Sequence, residues 1–183
     1  MKAKLIYITL FLIGFLSGCA TMMGDRTINV TGDQIAQKLN EKLALPISLL
    51  KVFDVNLSNS LVTFDKASGR MTTTMDTMLT SQLLDKSIAG KLGISGKLRF
   101  DAATSTVVLD EPNIENINFD GTDGKFNDVF NAMAKTVGSE MLNGLTLYNV
   151  KPEDLKFGGT TYAPKDMVVT DSGLQLTLTP QPK

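Results

Sequence analysis

Residues 94–121, ISGKLRFDAATSTVVLDEPNIENINFDG, and the stretch just beyond them, 126–150, FNDVFNAMAKTVGSEMLNGLTLYNV, decide how this chain folds. In and just before the first, apolar residues alternate with polar ones. Leu92, Ile94, Leu98 and Phe100 share a parity, and Gly96 marks a bend between them. Thr106–Asp110 and Ile114–Phe119 are rich in Val, Ile and Phe, so Lys91–Asp101 and these two segments read as antiparallel strands. In the second stretch the period lengthens to that of a helix. Phe126, Val129, Phe130, Met133, Val137 and Met141 form one stripe, while Lys125, Asp128, Asn131, Lys135 and Glu140 lie largely elsewhere on the wheel. The spacing predicts a helix over Lys125–Asn143, capped by Gly144.

Working outward, Leu49–Leu57, Leu61–Phe64 and Arg70–Thr80 also read as strands, separated by Asn, Asp, Ser or Gly, and Met71, Met75 and Leu79 share a parity. A first helix starts at Thr31, whose hydroxyl can cap it with Gln34 as capping-box partner. Its apolar residues Ile35, Leu39 and Leu43 recur at helical spacing until Pro46 ends it. After the second helix come Leu145–Val150, a loop (KPEDLKFGGTTYAPKD, 151–166), and a hairpin of Met167–Thr170 and Leu174–Thr179. The order helix, strands, helix, strands is not that of a doubly wound fold. It predicts an α+β domain in which one antiparallel sheet covers two helices.

The N-terminus has its own logic. Lys2 and Lys4 precede the uncharged run Leu5–Leu16, the layout of a secretory signal peptide, and the run is too short to span a membrane. Leu16-Ser17-Gly18-Cys19 resembles the bacterial lipobox, in which the cysteine receives diacylglycerol and becomes the first mature residue. This divides the chain into a signal peptide (1–18), a lipidated tether (19–29) and a single domain (30–183). Cys19 is the only cysteine and there is no histidine, so it has neither a disulfide partner nor the usual base of a catalytic thiol. The other reading is an ordinary cleaved signal with an incidental cysteine. Ala20 after the cysteine, rather than Asp, resembles the form sorted to the outer membrane.

Composition narrows the function. Losing Lys2 and Lys4 from 18 Lys+Arg against 19 Asp+Glu leaves a mildly acidic protein, which disfavours nucleic acid as a partner. Without histidine there is no Ser-His-Asp triad and no imidazole metal ligand. Ser48-Leu-Leu-Lys51 has the Ser-x-x-Lys spacing of penicillin-interacting acyltransferases but lacks their other motifs and reads as a strand entry. Around Asp120 and Asp123 the chain has a faint calcium-loop look, without the Gly and Glu an EF-hand needs at its sixth and twelfth places. The plainer reading is a turn before a helix, with weak calcium binding left open. Asp110 and Glu111 are adjacent on a strand, so they point apart and do not form a catalytic pair. No catalytic, metal or cofactor site is expected.

The methionines leave two readings. Met71, Met75, Met78, Met133 and Met141 fall where an interior is expected, and Met suits both an ordinary core and the wall of an apolar cavity.

The chain resembles the YceB-like periplasmic lipoproteins, on "INVTGDQIAQKLNEKL" as the first helix, residues 94–121 as the central strand pair, residues 126–150 as a long helix entering a strand, and "KFGGTTYAPKDMVVTDSGLQLTLTP" as the closing hairpin. Such proteins in turn resemble the tubular lipid-binding superfamily. The resemblance implies a curved antiparallel sheet wrapped around a long helix, with an apolar channel between them. It places Phe126, Phe130, Met133, Val137 and Met141 on the channel wall with Met71, Met75, Leu98 and Phe100. The expectation is a non-enzymatic, outer-membrane-anchored periplasmic lipoprotein that binds a phospholipid, fatty acid or other apolar ligand as carrier or sensor. The competing expectation is an envelope accessory protein with a filled core and no ligand.

Overall fold

The computed structural model describes residues 24–49, 51–83 and 86–182, with the side chain of Val137 left out of the description. Cys19 and the whole signal peptide lie outside the described residues. The segment expected as tether does not extend to Asn29. Strand β1 (Arg26–Thr31) starts inside it, because Ile28 and Val30 can face the core while the backbone pairs with the last strand of the chain.

Helix α1 (Gly32–Lys42) follows directly, and its capping box forms as the sequence predicts. The Gln34 amide donates to Thr31 Oγ1 at 3.3 Å, and the Thr31 amide donates to Gln34 Oε1 at 2.9 Å. Then come β2 (Ile47–Leu49), β3 (Phe53–Asp65), β4 (Arg70–Ser81), β5 (Ile88–Asp101), β6 (Thr106–Phe119), helix α2 (Gly124–Leu142), β7 (Thr146–Asn149), β8 (Lys156–Phe157), β9 (Thr160–Thr170) and β10 (Gly173–Pro180). Ser48 lies in β2 and Lys51 in the β2–β3 turn at φ 58°, so the Ser-x-x-Lys spacing falls on a hairpin.

The strands form two antiparallel sheets rather than the one expected, in the orders β2-β3-β4-β5-β6-β7 and β1-β10-β9-β8. The larger sheet curls into a half-barrel: α1 packs against β3 near one edge and also against β7 at the other. Its inner face carries Val55, Leu57, Met71, Met75, Leu79, Leu92, Ile94 and Ile117, all buried. Met78 has the opposite parity and is exposed, against its expected inward position. Val150, Tyr162, Leu176 and Leu178 form a small second cluster on the other sheet.

Two segments expected as separate strands are continuous. β3 runs through Ser58-Asn59-Ser60 by a bulge, with Asn59 at φ 50°, and Asn40 of α1 clamps it: the Ser60 amide and hydroxyl donate to Asn40 Oδ1 at 3.1 and 2.8 Å. β6 runs through Asp110-Glu111-Pro112 in the same way, with Glu111 at φ 46° and the register shifting opposite Gly96. The predicted final loop is also partly strand, since Gly158-Gly159 at φ 56° and 78° turns β8 into β9.

The fold is therefore α+β, built mostly of curled antiparallel sheet. The expected helix wrapped by a sheet is not what forms. α2 has 19 residues and lies along β6, with Phe130 and Leu142 buried but Val129 and Met141 exposed.

Candidate functional site

The placement of α2 creates the site. β7 pairs with β6 only at Thr106–Val108, so among the described residues the β6 edge beyond the bulge has no strand neighbour. Two asparagines one helical turn apart fill that role. The Ile117 amide donates to Asn131 Oδ1 at 2.8 Å, Asn131 Nδ2 donates back to the Ile117 carbonyl at 2.9 Å, and the Phe119 amide donates to Asn127 Oδ1 at 3.0 Å. Asn131, expected off the apolar stripe, is a surrogate strand edge. The aromatic residues at this end close the half-barrel: Phe130 packs edge-on to Phe53 at 5.3 Å and to Phe119 at 5.2 Å, with Phe126 at 4.8 Å.

Beyond Asn131 the helix face shrinks. Phe130, Ala134 and Gly138 follow one another at four-residue steps, and a Cβ at 138 would lie 3.1 Å from Ile114 Cδ1 and Cγ1. The space left by Ala134 and Gly138 is a half-open apolar pocket of about 80 Å³. Met141 and Leu142 of α2 line it together with Ile114 and Ile117 of β6 and Leu92 and Ile94 of β5. Leu43, Ile47, Leu49, Val55 and Leu57 complete the opposite wall. No side chain in this wall is polar. Between Asn131 and the Gly144 amide, which donates to the Leu109 carbonyl at 2.8 Å, no side-chain hydrogen bond among the described residues ties α2 to the sheet.

Of the residues expected on a channel wall, only Met141 lines this pocket, and it is 52% exposed at the rim. Met71 and Met75 are fully buried in the core beneath it, and Leu98 is buried farther along β5. Phe126 and Phe130 are taken up by the aromatic cluster. Met133 and Phe100 are partly buried against the core, and the Val137 side chain lies outside the described residues. Large flexible side chains fill space, whereas a pocket opens where side chains are small. The Phe130-Ala134-Gly138 taper was the signal in the sequence.

Several charged groups elsewhere have partners of their own. Asp123 caps α2 by accepting from the Phe126 amide at 2.7 Å. Among the described residues no three Asp, Glu, His or Cys side chains cluster as a metal site. Asp110 pairs with Arg99 and Glu111 with Lys97, so the two adjacent carboxylates serve different partners. The Ser95 hydroxyl and the Asn113 amide hold the Glu115 carboxyl below its usual range, with Arg70 assisting. Among the described residues Arg26 Nη1 of β1 is buried without a hydrogen-bond partner, and two further such atoms lie on the inner face of β4. The hydroxyls of Thr73 and Thr77, residues 1% and 3% exposed, are buried without a hydrogen-bond partner among the described residues.

Curled antiparallel sheet closed by a helix over an apolar pocket defines an α+β protein with a cavity. The chain belongs to the DUF1439 family, proteins of unknown function, whose model matches residues 30–172. No curated protein matches the chain.

Proposed function

We propose that this protein is a non-catalytic lipoprotein of the bacterial envelope, anchored to the outer membrane through acylated Cys19 and facing the periplasm, that receives an acyl chain in the pocket beneath α2. The observation that carries the reading is a half-open wall contributed by two helix regions and four strands in which every side chain is apolar or absent. Burial of each methylene there is worth about 0.8 kcal/mol, enough for useful affinity without charged contacts. The resemblance to YceB-like and tubular lipid-binding proteins supports the same ligand class.

At about 80 Å³ the pocket is smaller than the ~150 Å³ that admits benzene, so an acyl chain needs α2 to lift between Asn131 and Gly144, the stretch without side-chain hydrogen bonds to the sheet. Native mass spectrometry with organic extraction, on protein purified from a bacterial envelope, tests this. A co-purifying lipid that is lost in Ala134→Phe is the expected result. A clean apo mass that added oleate does not shift refutes it. The tight burial of Met71, Met75 and Leu79 favours a second reading, an interaction protein with a filled core, and that apo result would leave it standing.

A further inference from the structure

The orphan hydroxyls of β4 say more about the ligand. Thr73 and Thr77 point to the inner face of the half-barrel, in line with Met71, Met75 and Leu79. Their cross-strand neighbours are pocket residues: Thr73 stands opposite Ile94, and Thr77 stands opposite Leu57. The remaining neighbours are Val62 and Gly90, so the residues directly opposite bring no polar side chain to either hydroxyl. At Gly90 the Asn118 carbonyl and the Phe119 ring close over the Thr77 hydroxyl, since a Cβ there would clash with the carbonyl oxygen and sit 2.9 Å from Phe119 Cδ1 and 2.9 Å from Thr77 Oγ1. Valine has nearly the same shape as threonine and would satisfy packing at both positions without burying an unpaired hydroxyl. A resident water needs two to four polar partners, and the side chains opposite each hydroxyl supply none. Between the two threonines lies Met75, whose unbranched side chain can rotate aside more readily than any branched residue.

We infer that the pocket extends along β4 when occupied, and that its ligand is an acyl chain carrying an in-chain hydroxyl, which Thr73 or Thr77 hydrogen-bonds. This inference rests on the acyl-chain reading above and narrows it. Four residues of strand separate the hydroxyls by about 13 Å, so a chain lying along β4 meets one of them over a wide range of hydroxyl positions.

The test uses the full chain in phospholipid nanodiscs, labelled by photoactivatable palmitate and mapped to peptides of β5 and α2. Competition by ricinoleate is compared with competition by oleate, which lacks the hydroxyl. In the wild type ricinoleate is expected to compete about tenfold better. In Thr73→Val/Thr77→Val the advantage is expected to vanish, while Thr73→Ser/Thr77→Ser keeps it. The valine variant should melt at or above the wild-type temperature, which rules out misfolding. The same ricinoleate-to-oleate ratio in wild type and valine variant overturns the inference and leaves the apolar pocket intact. Absence of palmitate labelling at β5 and α2 overturns both.

Discussion

Asn131→Ala should release α2 from the edge of β6, and its cost can be worked from the contacts. The substitution removes the acceptor of the Ile117 amide at 2.8 Å and the donor to the Ile117 and Asn127 carbonyls, both at 2.9 Å. Ile117 is 3% exposed, so water does not readily replace these bonds. An unpaired buried amide costs about 1–3 kcal/mol, and each lost carbonyl contact adds roughly 0.5–1.5 kcal/mol. The better helix propensity of Ala returns about 0.5 kcal/mol. A net loss of about 1.5–5.5 kcal/mol is expected in urea titrations, with an unchanged slope. Amide hydrogen exchange supplies the local readout: Ile117 should lose protection, whereas Asn127→Ala should expose Phe119 instead. A loss under about 0.5 kcal/mol with Ile117 still protected would refute the view that these asparagines substitute for a strand.

Other substitutions test other parts. Gly138→Ala places a methyl 3.1 Å from Ile114, so overpacking of about 1–3 kcal/mol should outweigh the helix-propensity gain of roughly 1 kcal/mol; adding Ile114→Val should recover part of the loss in a double-mutant cycle. Thr31→Ala removes the cap of α1 and should cost about 0.5–2 kcal/mol in the same titration, with Gln34 left exposed. The pH dependence follows from Asp25, Asp65 and Asp76, whose carboxyls are held below their ordinary values by Lys165, by the Ser68 hydroxyl with the Ala67 amide, and by Lys91 with Asn59. Near pH 4 and below, the unfolded chain binds more protons than the folded one. Their contribution is thus present above the ordinary Asp value of about 3.9 and lost as pH falls through the lower folded values. Urea midpoints should fall across that window, and Asp76→Asn should flatten the fall; a midpoint independent of pH there would show these surface pairs to be inert.

What the sequence disclosed was period. Parity placed Met71, Met75 and Leu79 on the inner face, the capping box located α1 at Thr31, and the 3.6 spacing located α2 to within a residue at each end. What it hid was whether polar clusters turn the chain or merely bulge it. Ser58-Asn59-Ser60 and Asp110-Glu111-Pro112 have turn chemistry, yet both strands continue, because the bulged residues take the left-handed conformation while their neighbours resume pairing. Likewise a helix wheel sorts Asn131 by polarity and cannot reveal a naked strand edge contributed by β6. Most of the pocket's lining was misplaced for a related reason. Periodicity marks where apolar side chains point, but a cavity depends on their summed volume, which only the approach of α2 to Ile114 determines.

The pairing of β1 with β10 has a mechanical consequence. β1 is the first described strand, β10 the last, and Asp25 just before β1 is held by Lys165 of β9 at 2.7 Å. Any pull on the residues preceding Asp25 enters the molecule at this corner. Directed along β1, it loads the ladder from Arg26 to Thr31 in shear, all bonds at once. Directed across the strand, it opens them one by one, starting at Arg26↔Leu178. The half-barrel and the pocket under α2 sit in the other sheet, but β1 runs straight into α1 and Val30 shares one buried core with Met71 and Met75, so tension that peels β1 is passed on to that core.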